Sequence, residues 1–312
     1  MRYLKDIKEN EHIIGHYMCK QKQNLKTKAD KPYISVKLQD KTATVVGKIW
    51  DINKDIGDFE EGDVIKIDAL MLLYNKEPQV RISRTRKSLQ EEYEITELIP
   101  STDKDIDELS NKLQNFIASV QEPCLRRLLE LIILEHDTIS KAILTHSAAK
   151  SMHHSYLGGL LEHTVSVVEI CDFLAAHYKS LNRDILITVA ILHDIAKVFE
   201  LEAIPTYNYT DDGQMLGHLY MGAELIAKEC EKIADFPPVL ESLLKHSILA
   251  HHGEYAFGSP KLPMTLEALI LHAADNMDAK MQAYEGMLAV DNGGSWKGYH
   301  NILERYIRSS DY

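Results

Sequence analysis

The chain has 312 residues, 45% of them hydrophobic and 26% charged, with a formal net charge of −12. That length suits one large domain plus a smaller one, and without a run of about 18 uninterrupted apolar residues no membrane span is expected. The first twelve residues are too charged for the apolar core of a secretory signal, and Cys19, Cys124, Cys171 and Cys230 are widely spaced. The expectation is a reduced cytoplasmic protein with no disulfide framework.

Charge and histidine are both unevenly spread. Residues 1–90 hold 18 Lys and Arg against 13 Asp and Glu, a net of +5, which leaves −17 for the remainder. A mildly basic head suits a polyanion and an acidic body suits cation recruitment, although net charge also serves solubility. Thirteen of the 15 histidines lie after residue 130.

Residues 1–88 read as strands. In residues 33–38, Ile34, Val36 and Leu38 share one face; in 42–50, Ala43, Val45, Gly47 and Ile49 do the same. A turn at Glu61-Gly62-Asp63 precedes a strand over 64–73, and residues 79–82 form a short further one. About five strands in so few residues predict a small barrel of the oligonucleotide-binding (OB) type. Such a surface binds single strands by stacking bases on aromatics beside cations. Tyr33, Lys37, Lys48, Trp50, Arg81 and Arg84 are the candidates, with Arg86 and Lys87 extending a basic exit. Lys20, Lys22, Lys26, Lys28 and Lys31 read as a basic loop. Each aromatic has burial as its alternative, Trp50 most of all.

Residues 89–104 read as an acidic linker, with Ser101 or Asp103 as a cap for the next helix. From 105 to 312 the periodicity is helical. Leu109, Leu113, Phe116, Ile117 and Val120 mark one amphipathic helix, and Pro123 opens a second. Helices in 104–136 could serve core packing or, in a homo-oligomer, subunit contacts.

The later helices carry the chemistry. His163 lies near the start of a helix over 160–178. His193-Asp194 closes the apolar run that begins at Ile185, with Lys197 just beyond. His218 opens a helix over 219–230, His251-His252 ends one begun by Pro237-Pro238, and Asp275 lies inside a last helix begun by Pro263. A carboxylate after seven largely apolar residues is costly to bury alone, and a divalent cation removes that cost. Imidazoles and carboxylates from five helices of an all-α bundle suit such a cation, and a carboxylate bridging two ions suits attack by water at phosphorus. His136, His146, His177, His246, His272 and His300 lack this context and are read as structural.

The series His163, His193-Asp194, His218, His251-His252, Asp275 resembles the HD-domain superfamily of metal-dependent phosphohydrolases. The stretch from His154 through Glu162-His163, together with His193-Asp194-Ile195-Ala196-Lys197, is similar to the YhaM-type 3′-to-5′ exoribonucleases of Gram-positive bacteria, which join an OB domain to an HD domain. The resemblance covers nearly the whole chain. It implies that His163, His193, Asp194 and Asp275 hold one ion. His218 with one or both of His251 and His252 completes a second site, and Asp194 bridges. It gives Lys197 a phosphate oxygen to face, beside Asp194 in catalysis. His154 and Glu162 become supporting or substrate residues. Two divalent ions are implied, with Mn²⁺ favoured by oxygen and imidazole ligands over Mg²⁺, Fe²⁺ or Co²⁺. One departure matters: HD proteins that cut cyclic dinucleotides carry Gly-Tyr-Pro after the paired histidines, and here the stretch reads Gly258-Ser259-Pro260.

The implied activity is metal-dependent 3′-to-5′ hydrolysis of single-stranded RNA, or single-stranded DNA, to 5′-mononucleotides. The alternatives are an HD phosphohydrolase of a small nucleotide with a regulatory OB domain, and a non-catalytic single-strand-binding module with a structural metal.

Overall fold

The computed structural model describes residues 2–74, 77–148, 156–203, 208–289, 294–300 and 303–311. His154 lies outside them. The chain divides into two units, Met1–Ser101 and Thr102–Tyr312, so residues 89–104 are shared between the two. Among the described residues no helix is long and apolar enough to cross a membrane.

The first unit holds β1 (His12–Lys26), β2 (Pro32–Gln39), β3 (Thr44–Ile49), β4 (Val64–Tyr74) and β5 (Glu77–Lys87). They close into a barrel in the order β1-β2-β3-β5-β4. Only β3 and β5 run parallel among these pairs. This Greek-key closure is that of an OB barrel. The predicted alternation is realised: Ile34, Val36, Leu38, Val45 and Ile49 are buried with Tyr17, Ile65, Ile67 and Val80 in one core. Residues 12–18 of β1 pair with β4 and residues 18–26 with β2, and a register shift between Cys19 and Gln21 lets one long strand serve both. Lys20, Lys22 and Lys26, expected in a loop, are therefore strand residues. The far end of β1 is polar on both faces because it pairs with β2 as an exposed ribbon. Likewise β5 runs well beyond residues 79–82. Residues after β5 fold back on the barrel: Lys41 Nζ lies 2.7 Å from Glu97 Oε1, and Tyr3 OH also donates to Glu97.

The second unit holds α1 (Ile106–Ser119), α2 (Pro123–Leu129), α3 (Ile139–Ala142), α4 (Gly159–His177), α5 (Arg183–Leu192), α6 (Lys197–Glu200), α7 (Asp211–Cys230), α8 (Pro238–Ala250) and α9 (Leu266–Leu288). Asp105, rather than Ser101 or Asp103, caps α1, accepting from Asp107 N at 2.8 Å. Thr265 caps α9, so the helix begins three residues after Pro263. α5 is the central helix: Leu186, Ile187, Val189, Ala190, Ile191 and Leu192 are all fully buried, and α2, α4, α8 and α9 pack on it. A helix apolar on every side has to sit in a core. Its end is thus forced into the interior, carrying His193 and Asp194 with it. The sequence reading had no strands here, yet β6 (Trp296–His300) and β7 (Arg305–Arg308) form an antiparallel hairpin.

Candidate metal centre and nucleic-acid face

Four stretches deliver imidazoles to the end of α5: α4, the α5 terminus, α7 and the end of α8. His163, His193 and Asp194 have ligand atoms all within 4.8 Å of one another, and so do His218, His251 and His252. Asp194 stands between the two groups. Its Oδ2 lies 3.5 Å from His163 Nε2 and 3.4 Å from His193 Nε2; its Oδ1 lies 3.5 Å from His218 Nε2 and 3.6 Å from His251 Nε2. Asp275 Oδ1 approaches His163 Nε2 at 3.3 Å from α9. The seven predicted ligands are therefore brought together, one oxygen of Asp194 facing each group.

The outer nitrogens of these rings are all occupied. His163 Nδ1 meets Asp278 Oδ2 at 2.7 Å and His218 Nδ1 meets Glu200 Oε1 at 2.8 Å. His193, His251 and His252 direct Nδ1 at the carbonyls of Ala190, Ile248 and Phe257, at 2.8, 2.7 and 2.9 Å. A carbonyl only accepts, so Nδ1 carries the proton and Nε2 is left as a lone pair turned inward. Two such nitrogens then face each other at 3.1 Å between His163 and His193, and at 3.2 Å between His218 and His252. Opposed lone pairs at that separation need a proton or cation near them. Asp194 Oδ1 is also buried with no hydrogen-bond partner. An orphaned buried carboxylate oxygen ringed by imidazoles is what a divalent cation would satisfy, so the residues present fit the implied ions.

The electrostatics agree. Burial opposes ionisation of Asp194, but Lys197 and His193 outweigh it and hold the carboxyl well below its usual range. Burial likewise opposes an imidazolium at His163, yet Asp275 and Asp278 push it up to about 10. Positive charge is favoured here. His251 and His252 are held low, first by burial, and stay neutral as ligands must.

Two glycines shape the centre. Gly217 adopts φ +72 inside α7 and breaks the helix one residue before His218, so that Glu200 Oε1 accepts from both His218 N, at 2.9 Å, and the ring. Gly253, at φ +77, lies where a Cβ would come within 2.2 Å of His272, whose Nδ1 contacts the carbonyl of His251 at 2.9 Å. Asp278 and Glu200 were missed in sequence, whereas His272 was read as structural and packs on the backbone of His251. Asp278 alone left a trace, three residues after Asp275 on one helical face. Glu200→Gln is expected to lower metal affinity and turnover about 10- to 100-fold. Titration of the metal into purified variant and parent measures it, and equal affinities would show that Glu200 does not hold His218 for a metal.

Lys197 donates to Asp194 Oδ2 at 2.6 Å while also lining a cavity of about 880 Å³ above the centre. Asn276 and Lys280 of α9 add polar groups to that cavity, and Tyr156, His272, His300 and Leu303 complete much of its wall. Glu162 is engaged by Thr102 Oγ1 at 2.6 Å, Tyr156 OH at 2.8 Å and Lys104 Nζ at 3.1 Å, tying the start of the unit to α4.

On the barrel, Tyr33 and Trp50 stack with centroids 4.7 Å apart, and Lys48 Nζ lies 5.2 Å from the Tyr33 ring centroid. Lys37 is exposed on β2, and Arg81 pairs in register with Lys48. Arg84 lies farther along β5, opposite Asp68. Arg86 and Lys87 are taken up by Glu92 and Asp63, each at 2.5 Å. Trp50, whose burial was the alternative, retains 37% exposure.

Residues 160–280 match the family described as HD domain. The barrel is similar to the second OB-fold domain of replication protein A from Methanococcus maripaludis, at 15% identity over 28% of this chain and 98% of that one, TM-score 0.23. It is also similar to an OB domain from Thermoplasma acidophilum, at 17% identity over 28% and 86%, TM-score 0.22. The barrel's class rests on its own strand order. An OB-type barrel thus precedes a helical unit that matches the HD domain over residues 160–280 and gathers histidines and aspartates into groups that could hold metal ions.

Proposed function

We propose that the protein is a metal-dependent 3′-to-5′ exonuclease of single-stranded RNA, releasing 5′-mononucleotides. The observation that carries this reading is Asp194, a buried carboxylate with one oxygen turned to each of two imidazole groups at the floor of a nucleotide-sized cavity. The direction of cleavage rests on the resemblance of residues 154–163 and 193–197.

His163, His193, Asp194 and Asp275 would hold one divalent ion; His218, His251 and His252, with the other oxygen of Asp194, would hold a second. When bound, such ions supply Lewis-acid stabilisation at phosphorus and lower the pKa of water. The protein's own groups do the rest. Lys197 keeps Asp194 in the rotamer that serves both groups. Lys280 and Asn276 offer a charge and an amide to the terminal nucleotide. Tyr33, Trp50 and Lys48 would stack and neutralise the strand upstream.

The test is a 5′-labelled single-stranded RNA incubated with Mn²⁺ or with chelator. A ladder shortening from the 3′ end, only with metal, is expected. Intact RNA alongside hydrolysis of a small nucleotide would favour the other phosphohydrolase reading, which the cavity volume also accommodates. Trp50→Ala should raise KM for RNA about 5- to 150-fold, the worth of one stacked base, with hydrolysis of bis(4-nitrophenyl) phosphate unchanged. An unaltered KM would remove the barrel face from substrate binding.

A further inference from the structure

The hairpin β6–β7 lies outside the residues that match the HD family. Its strands read Trp-Lys-Gly-Tyr-His and Arg-Tyr-Ile-Arg, with three cations and no acid. They sit in a stretch, residues 91–312, whose net charge is −17.

The pairing sorts these side chains by face. Tyr299 is opposite Tyr306 and Trp296 opposite Arg308. The tyrosine rings meet edge-on with centroids 5.2 Å apart, yet remain 49% and 69% exposed, and Trp296 is 60% exposed. Ile307 alternates to the other side and is buried, as is Leu303 in the connecting turn, where the hairpin packs on α9. His300 and Leu303 also line the cavity above the metal centre. One side of the hairpin is thus wall for the site, and the other presents three aromatic rings and a guanidinium to solvent.

Aromatic rings left exposed beside cations are costly to keep for solubility alone and suit a ligand with flat faces and negative charge. We propose that this outer face is a second base-stacking platform for single-stranded nucleic acid, holding nucleotides next to the one in the cavity. The proposal rests on the exonuclease reading. Charge selects the occupant: in an otherwise acidic stretch, Arg308 stands on this face opposite Trp296, and Lys297 and Arg305 add positive charge to the same two strands.

The full-length protein carrying Tyr299→Thr and Tyr306→Thr, which keep strand propensity, tests it against the parent and the Tyr299→Phe/Tyr306→Phe protein. The expected result is a KM for single-stranded RNA raised about 5- to 150-fold per lost stack. Turnover on RNA and hydrolysis of bis(4-nitrophenyl) phosphate should not change, and the phenylalanine protein should behave like the parent. A parent that degrades RNA with a KM shared by the threonine protein would overturn the platform and leave the exonuclease reading standing. A parent that hydrolyses only the small ester would overturn that reading and the platform with it. Loss of small-ester hydrolysis in the threonine protein would make the hairpin a wall of the cavity only. A change in its mass by light scattering would make the face a contact between copies. Either outcome overturns the proposal.

Discussion

Asp194→Asn is expected to abolish phosphodiester hydrolysis, lowering turnover by at least about 10³-fold on RNA and on bis(4-nitrophenyl) phosphate alike. Asparagine keeps the shape but replaces one oxygen with an amide nitrogen, which cannot ligate a cation. Asp194 serves His163 and His193 with one oxygen, and His218 and His251 with the other. No orientation of the amide can satisfy both groups. The loss of several kcal/mol of charge stabilisation corresponds to that factor. The substitution also leaves the Lys197 ammonium, 16% exposed, without its carboxylate, a broken buried pair costing about 3 kcal/mol. Metal content therefore has to be measured with activity and fold. Turnover within tenfold of the parent in a folded variant would remove Asp194 from the centre.

The residues that gather at the end of α5 were legible as candidate ligands because burial left a mark in the sequence. A His-Asp pair after an unbroken apolar run has to be interior, and an interior carboxylate has to have a partner. The barrel was legible through strict alternation in β2 and β3. What was hidden depends on tertiary structure. Glu200 meets His218 only because α7 breaks at Gly217, and nothing near Glu200 announces that meeting. Asn276 and Lys280 lie on the partly exposed side of α9, where a cavity wall and a solvated face have the same composition. The outer half of β1 was taken for a loop because a two-stranded ribbon with no core against it shows no alternation. The β6–β7 hairpin escaped for a related reason. Its strands are short, their aromatic residues lie on the solvent-facing side, and only Ile307 is a deeply buried strand residue.

Removing divalent metal with chelator is expected to lower the melting temperature of the helical unit by about 8 to 16 °C, leaving the barrel's transition in place. A ligand at a thousand times its dissociation constant stabilises by about 4 kcal/mol, and each kcal/mol shifts a domain of this size by about 2–4 °C. The effect is confined to Thr102–Tyr312 because every candidate ligand lies there. It should also depend on pH. In the metal-free protein His163 is raised to about 10, burial being outweighed by Asp275 and Asp278. A group raised on folding stabilises fully below its unfolded value, near 6.5, and that contribution is lost as pH rises through the folded value. From this residue, metal-free stability falls between about pH 6.5 and 10. Over the same interval the proton on His163 ceases to compete with the cation, so the metal-induced shift should grow. Calorimetry at pH 6.5, 7.5 and 8.5, with Mn²⁺ and with chelator, reads both trends. A shift that shrinks as pH rises, or that moves the barrel's transition instead, would place the metal somewhere other than at these histidines.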